Sequence, residues 1–207
     1  LSAPTVVASD PMTHDEWTGS SQAIAATLCF STGAVLVRWA AALSPVEVTG
    51  LRLLLAAAIV GLAARTVGNR VALSAREWAR LAPIGVTAAL HFLTFIASLY
   101  FTTVAHALTL TYTAPLFIAA LSFLVLGEPL PRRTIPAALV SLVGVAVLAG
   151  FEPRLDTRML AGDALALGAA ATFAVYSLLG RRERTRLPLL TYAFGVYLVA
   201  GLVTAPF

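Results

Sequence analysis

Apolar residues in this chain come in long unbroken runs. Seven stand out, at residues 21–43, 46–64, 81–100, 104–126, 135–150, 161–180 and 189–207. A hydrocarbon core about 30 Å thick is crossed by about 20 helical residues rising about 1.5 Å each. The runs therefore predict seven transmembrane helices. The fifth is the shortest, roughly 24 Å as a helix, and spans only if its flanks snorkel or the bilayer thins. No run shows the two-residue alternation that a membrane β-barrel requires. Proline punctuates the pattern: Pro45 divides the first two runs, Pro131 follows the fourth and Pro188 opens the seventh. Ser74-Ala75-Arg76-Glu77 has the spacing of a capping box, which predicts a third helix starting ahead of the membrane with Trp78 at its interface.

Composition removes the competing classes. The 207 residues are 59% hydrophobic and 12% charged. A soluble domain carries about 25% charged residues. Too few charges remain to cover a soluble enzyme, a disordered chain or a nucleic-acid-binding module. The pI near 9.8 rests on a net charge of only +4, and every basic residue is Arg. In a membrane protein such residues mark cytoplasmic loops rather than a nucleic-acid footprint. The single cysteine, Cys29, lies in an apolar run and allows no intrachain disulfide.

Arginine also orients the spans. Arg65, Arg70, Arg76 and Arg80 follow the second, Arg132 and Arg133 the fourth, and Arg181, Arg182, Arg184 and Arg186 the sixth. The opposite loops hold Arg154 and Arg158, beside Glu152 and Asp156. The arginine-rich side is expected to be cytoplasmic, and with it the N-terminus. Residues 1–20 are polar, lack the basic region of a signal peptide, and are expected to form a disordered cytoplasmic tail with Trp17 touching the interface. The chain starts at a leucine and stops inside an apolar run, which is expected of a fragment ending within its seventh helix.

The sixth run echoes the first. Laying residues 23–35 over 163–175 pairs Ala26 with Ala166, Thr32 with Thr172, Ala34 with Ala174 and Val35 with Val175, and three residues of extra loop then bring Pro45 over Pro188. A repeat of five helices enters the membrane from opposite sides in its two copies, as the arginine pattern also requires. Inverted repeats of this kind are a transporter architecture.

The stretch Ala107-Leu108-Thr109-Leu110-Thr111-Tyr112-Thr113-Ala114-Pro115-Leu116-Phe117, running on to Leu126-Gly127-Glu128-Pro129-Leu130, resembles the fourth-helix region of EamA-type transporters of the drug/metabolite transporter superfamily. Gly162-Asp163-Ala164-Leu165 through Ala174-Val175-Tyr176 to Arg181-Arg182 resembles the opening of that family's second repeat, and Arg52 in Gly50-Leu51-Arg52 its second-helix arginine. The resemblance implies an all-α polytopic membrane protein with ten helices in two inverted five-helix repeats. Seven helices are present here. Residues 21–150 would form the first repeat and 161–207 the incomplete start of the second. It also implies secondary transport, as an exporter, of a small metabolite or drug by alternating access.

Within the spans, a few polar residues could carry chemistry. Arg52 lies about 9 Å into the second span. An intramembrane Arg is costly unless it meets a carboxylate, water or a substrate anion; Glu47, near the same end, offers a structural partner. Arg38 lies near the outer end of the first span, where snorkelling accounts for it. His91, near the middle of the third, suits either a cavity wall or an interhelical bond. His106, Thr109 and Thr113 share one face of the fourth, with Tyr112 beside them and Pro115 predicting a kink. Arg52, His91, Thr109 and Tyr112 are thus the candidates for a substrate cavity. Glu128 closes the fourth span beside Arg132 and Arg133, and Asp163 opens the sixth, where a carboxylate favours a helix N-terminus. Glu47, Glu128 and Asp163 read as structural polar groups. Small residues four apart (Ala25, Cys29 and Gly33; Ala57 and Gly61; Ala164 and Gly168) predict close helix packing.

No phosphate loop, zinc-ligand spacing or nucleophile elbow occurs, so no enzyme, metal or cofactor is expected. The expected partners are the lipid bilayer and a small-molecule substrate of unspecified identity, with no nucleic acid. Two other readings stay open: a membrane subunit that does not transport, and a half-size transporter completed as a homodimer. A membrane-embedded enzyme ranks below both.

Overall fold

The computed structural model describes residues 14–40, 42–129 and 156–205, with isolated positions 136, 139–140, 143–144 and 147 between them. The described residues form seven α-helices: α1 (His14–Trp39), α2 (Pro45–Thr66), α3 (Ala75–Phe101), α4 (Val104–Thr111), α5 (Ala114–Leu126), α6 (Thr157–Gly180) and α7 (Leu189–Thr204). A 3-10 turn, Glu183–Thr185, joins the last two. The described residues contain no strand, so the fold is an all-α polytopic membrane bundle. By length and composition α2, α3, the combined stretch Val104–Leu126 and α6 can each cross a membrane, and α7 is a shorter apolar helix. The fifth run, 135–150, lies outside the described residues except for those isolated helical positions.

Helix limits follow from caps where the sequence supplies them. Ser74 and Glu77 form the expected box: the Ser74 amide donates to Glu77 Oε2 at 2.7 Å, and the Glu77 amide to Ser74 Oγ at 3.4 Å. Ser44 and Glu47 form a second box at the start of α2, with Pro45 in its first turn. Proline suits that position because the missing amide would have had no helical partner. Besides α3, two further helices start several residues before their apolar runs. Helix α1 begins at His14, inside the segment read as a tail; the side chain of Trp17 lies outside the described residues. Helix α6 begins at Thr157 because Asp156 Oδ1 accepts the Met159 amide at 2.8 Å. Asp163 therefore sits in the second turn of α6 rather than at its N-terminus.

The fourth span is interrupted. Helix α4 ends at Thr111 and α5 starts at Ala114, with Tyr112 and Thr113 between. Pro115 has no amide for the Thr111 carbonyl, and its ring would clash there in a continuous helix. The Thr113 hydroxyl instead donates to the Leu110 carbonyl at 2.6 Å. What the sequence presents as one kinked span is two half-helices.

Helix α3 is the centre of the bundle, packed most extensively on α6 and then on α7, while α2 packs chiefly on α7. One cluster joins α2, α3 and α7 through Leu53, Leu81, Ile84, Ala88 and Val196. A second joins α1, α2, α3, α4 and α6 through Ala34, Val48, Phe95, Leu99, Ala107 and Ala169. Helix α2 shows how a bilayer sorts side chains. Small residues, Ala57, Gly61 and Ala64, face inward, and Leu55, Ile59 and Leu62 face outward. Hydrocarbon accepts the large side chains, so close backbone approach decides which face turns in.

The described arginine-rich loops meet at one end of the bundle. There the Thr191 hydroxyl donates to the Arg70 carbonyl, Glu183 sits between Arg80 and Arg186, and Arg181 bonds Glu128 at 2.7 Å. At the other end Tyr100 Oη donates to the Leu43 carbonyl and Arg158 to the Tyr100 carbonyl.

Candidate functional site

A cavity of 520 Å³ opens inside the bundle between α2, α3, α6, α7 and the break between α4 and α5. Arg52 reaches it from α2, His91 and Phe92 from α3, Tyr112 and Pro115 from the break, Phe173 and Tyr176 from α6 and Tyr197 from α7. A volume of about 300–1,000 Å³ is ordinary for a small-molecule site.

The Arg52 guanidinium lies over the Phe92 ring, 5.5 Å from its centroid. Phe92 in turn meets Tyr197 edge-on at 6.4 Å. A Cβ on Gly33 of α1 would lie 3.8 Å from the Arg52 guanidinium, so the small residue leaves room beside it. Among the described residues no carboxylate pairs with Arg52. Glu47, the partner the sequence offered, is exposed and turned to its capping box. Its carboxylate accepts the Ser44 amide just ahead of α2, which competes directly with reaching one and a half turns along the helix. The remaining acidic residues of the chain lie outside the apolar runs, except Asp163, which is engaged elsewhere. Arg52 is thus a cation facing aromatic rings and an open volume.

His91 is buried, with Nδ1 2.8 Å from the Ala169 carbonyl on α6. A carbonyl only accepts, so Nδ1 carries the proton and Nε2 is the acceptor of the neutral ring. Its ring stands 5.0 Å from both Phe92 and Phe173. The bond fixes the ring orientation and ties α3 to α6.

Of the four cavity candidates, Arg52, His91 and Tyr112 line this volume. Thr109 does not: it is half-buried along α4, and Thr111 lines the cavity instead. The half-helix geometry accounts for the difference, since only the last turn of α4 reaches the break. Sequence reasoning missed Phe92, Phe173, Tyr176 and Tyr197. Their available signal was an aromatic pair three apart on α6, indistinguishable from ordinary core. Of the structural polar residues, Glu47 caps α2 and Glu128 bonds Arg181; Arg132 and Arg133 lie outside the described residues. Asp163 accepts from Thr102 Oγ1 at 2.6 Å and faces His106 Nδ1 at 3.1 Å. His106 is thus engaged with α6 and is not among the residues that line the cavity. Arg38 is exposed and donates to the Thr102 carbonyl.

The break also aims a helix end at the cavity, because Ala114 and Pro115 in the first turn of α5 form part of its wall. A helix N-terminus carries roughly half a positive charge. The C-terminal end of α4 at Thr111 lines the same break and offsets that charge, so Arg52 is the cation of a described wall that is otherwise mainly aromatic.

Comparison with known proteins gives the same answer as the fold. No curated protein sequence matches the chain. Three solved chains do. One, a protein known from a crystal structure, is 24% identical over 87% of this chain and superposes with a TM-score of 0.61. The present chain spans 61% of that protein's length. The family model for EamA-like transporters matches residues 17–150. A multi-pass helical bundle of this fold, carrying that match over more than half its length, belongs to the EamA-like transporter family of the drug/metabolite transporter superfamily.

Proposed function

We propose that the protein is a secondary transporter that exports a small metabolite or drug carrying an anionic group, by alternating access around the cavity at Arg52 and His91. The observation that carries this reading is the position of Arg52. It is a charge inside a membrane span, without a carboxylate among the described residues, facing an aromatic cavity. Intramembrane charges of this kind are held by bundle interiors, where they meet substrates or ions. The half-helix break supports the same reading, since interrupted helices in transporters direct their N-terminal ends at anionic groups. The cavity takes walls from α2–α5 and from α6 and α7, so rocking of a first repeat against a second would open it to alternate sides.

Counterflow in proteoliposomes loaded with candidate metabolites tests this function directly. The reading expects saturable exchange for at least one carboxylate-bearing compound and none for its amide. Absence of exchange for every anion tried, in protein shown to be folded, would sink it. His91→Ala should reduce that exchange by about tenfold or more with unchanged membrane abundance. The Ala169 carbonyl also accepts from the Thr172 hydroxyl at 3.1 Å, so losing the imidazole orphans no backbone group. Undiminished exchange in that variant would return His91 to a packing role.

The orientation is testable separately. In a Cys29→Ala background, cysteines at Asn69, Arg133 and Arg184 should resist an impermeant thiol reagent in intact cells, and one at Asp156 should react. The opposite labelling would invert the topology and turn the proposed exporter around.

A further inference from the structure

His91 presents one fixed hydrogen-bond acceptor to the cavity. The residue is 4% exposed, and its Nδ1–H is spent on the Ala169 carbonyl at 2.8 Å. Turning the ring over would break that bond, and the rings of Phe92 and Phe173 crowd it, each with its centroid 5.0 Å away. Nε2, the lone-pair nitrogen of the neutral ring, makes no hydrogen bond among the described residues. Nor is it sealed: the sealed and unpaired side-chain atoms among the described residues are His106 Nε2 and Tyr192 Oη. The open volume that His91 lines is the cavity, so Nε2 accepts from whatever fills it.

Arg52 is the opposite in kind. A guanidinium has donors and no acceptor, whereas Nε2 of a neutral imidazole only accepts. The two stand against one ring. The guanidinium carbon is 5.5 Å from the Phe92 centroid, and the imidazole centroid is 5.0 Å from it. A single small molecule therefore reaches both. Beside them the wall runs ring to ring, Phe92 meeting Tyr197 at 6.4 Å and Phe173 meeting Tyr176 at 5.8 Å.

We propose that His91 sets specificity, and that the substrate class is an anion carrying a second polar group that donates a hydrogen bond. A hydroxyl or an N–H bonds Nε2 while Arg52 holds the anionic end. The inference rests on the transporter reading of this cavity and narrows it. An accessible acceptor is hydrated before a ligand arrives. A ligand with a donor replaces that hydrogen bond. A ligand without one leaves the acceptor bare, which costs affinity, and sites built this way reject such analogues steeply. A wall without an acceptor acts with the opposite sign. It strips water from an added hydroxyl and returns nothing, so the hydroxylated member of a matched pair binds no better than its parent. The sign of the preference tells whether Nε2 is in use.

Lactate and propionate, mandelate and phenylacetate, and 4-hydroxybenzoate and benzoate each differ by one hydroxyl. Apparent affinities are read from the rise in unfolding midpoint of the purified protein in detergent as each anion is added. At least one hydroxylated member should bind at least about tenfold more tightly than its partner. His91→Asn is the second arm. Its side-chain amide can still donate to the Ala169 carbonyl, but nothing stands where Nε2 was. The preferred hydroxylated member should lose its advantage, and the plain member should bind as before. A residue that only packs the wall would weaken both alike. Equal or weaker binding of all three hydroxylated members to the unaltered protein overturns the donor site, whether or not the variant folds. So does a preference that survives in folded His91→Asn, or an equal loss for both members. The two readings fail separately. Anions that bind without regard to the hydroxyl leave the anion reading standing, whereas folded protein that binds no anion overturns that reading and this one with it.

Discussion

Arg52→Gln is expected to insert, fold and accumulate like the parent protein, and to lose transport of a carboxylate-bearing substrate by about tenfold or more. Abundance should survive because Glu47 is not left unpaired by the change: its carboxylate is already engaged by the Ser44 amide at 2.7 Å. Had the two formed an ion pair, removing one member would leave a stranded charge and lower the yield of folded protein. Arg52→Lys separates charge from shape. An ammonium keeps the positive charge but loses the planar fork that holds a carboxylate through two parallel bonds and stands over the Phe92 ring. It should transport better than Arg52→Gln and worse than the parent. Exchange kinetics of the anion beside its neutral amide read the effect. Equal loss for both compounds would mean that Arg52 only shapes the cavity, and normal exchange in Arg52→Gln would remove it from the site.

The largest expected effect on stability comes from two glycines at helix crossings. A Cβ on Gly162 would stand 2.6 Å from the Thr102 amide nitrogen and 2.9 Å from the Phe101 carbonyl carbon. These are the bonded atoms of one backbone peptide, which leaves nothing cheap to move. A Cβ on Gly85 would stand 2.5 Å from the Val199 side chain, whose branched Cβ has little rotamer freedom. Gly162→Ala and Gly85→Ala should each lower stability by about 1–3 kcal/mol, the usual range for overpacking. Gly168→Ala is the control. Nothing lies within 4 Å of its Cβ position, so the better helix propensity of alanine should leave stability unchanged or raise it by up to about 1 kcal/mol. Thermal unfolding followed by tryptophan fluorescence in detergent discriminates the three. A loss at Gly168 matching the other two would show that the close crossings are not what makes the substitutions costly.

The glycines also mark where pattern reading reaches its limit. Spacing by four picks out Gly33, Gly61 and Gly168 as small residues suited to a crossing. Gly61 does meet a neighbour, with Phe194 2.8 Å from its would-be Cβ, whereas Gly168 faces open space and Ala164 is exposed. The tightest crossings include Gly85 and Gly162, which have small partners four residues on, Ala89 and Ala166, yet nothing in the spacing sets them apart from Gly168. A small residue permits close approach, but which helix arrives there depends on the whole bundle.

Sequence by itself determined the class of this protein, the number and rough limits of its apolar runs, the arginine asymmetry and the family. The bilayer explains why these were legible. It demands about 20 apolar residues per crossing and keeps arginines in the loops, so length and charge are written directly along the chain. Arg52 and His91 stood out for the same reason, as polar groups where hydrocarbon makes them costly. The tertiary structure alone decided what those groups face. A soluble helix advertises its inner face through an apolar stripe, but a membrane helix is apolar all round. Nothing in the spacing of Phe92, Phe173, Tyr176 and Tyr197 separates a cavity wall from a lipid-facing ring. Glu47 and Arg52 are close along the chain, yet the capping box claimed the carboxylate. Asp163 and His106 are 57 positions apart and meet only because α6 packs across the α3–α4 junction. Local rules name the residues that need partners, and packing between distant helices assigns them.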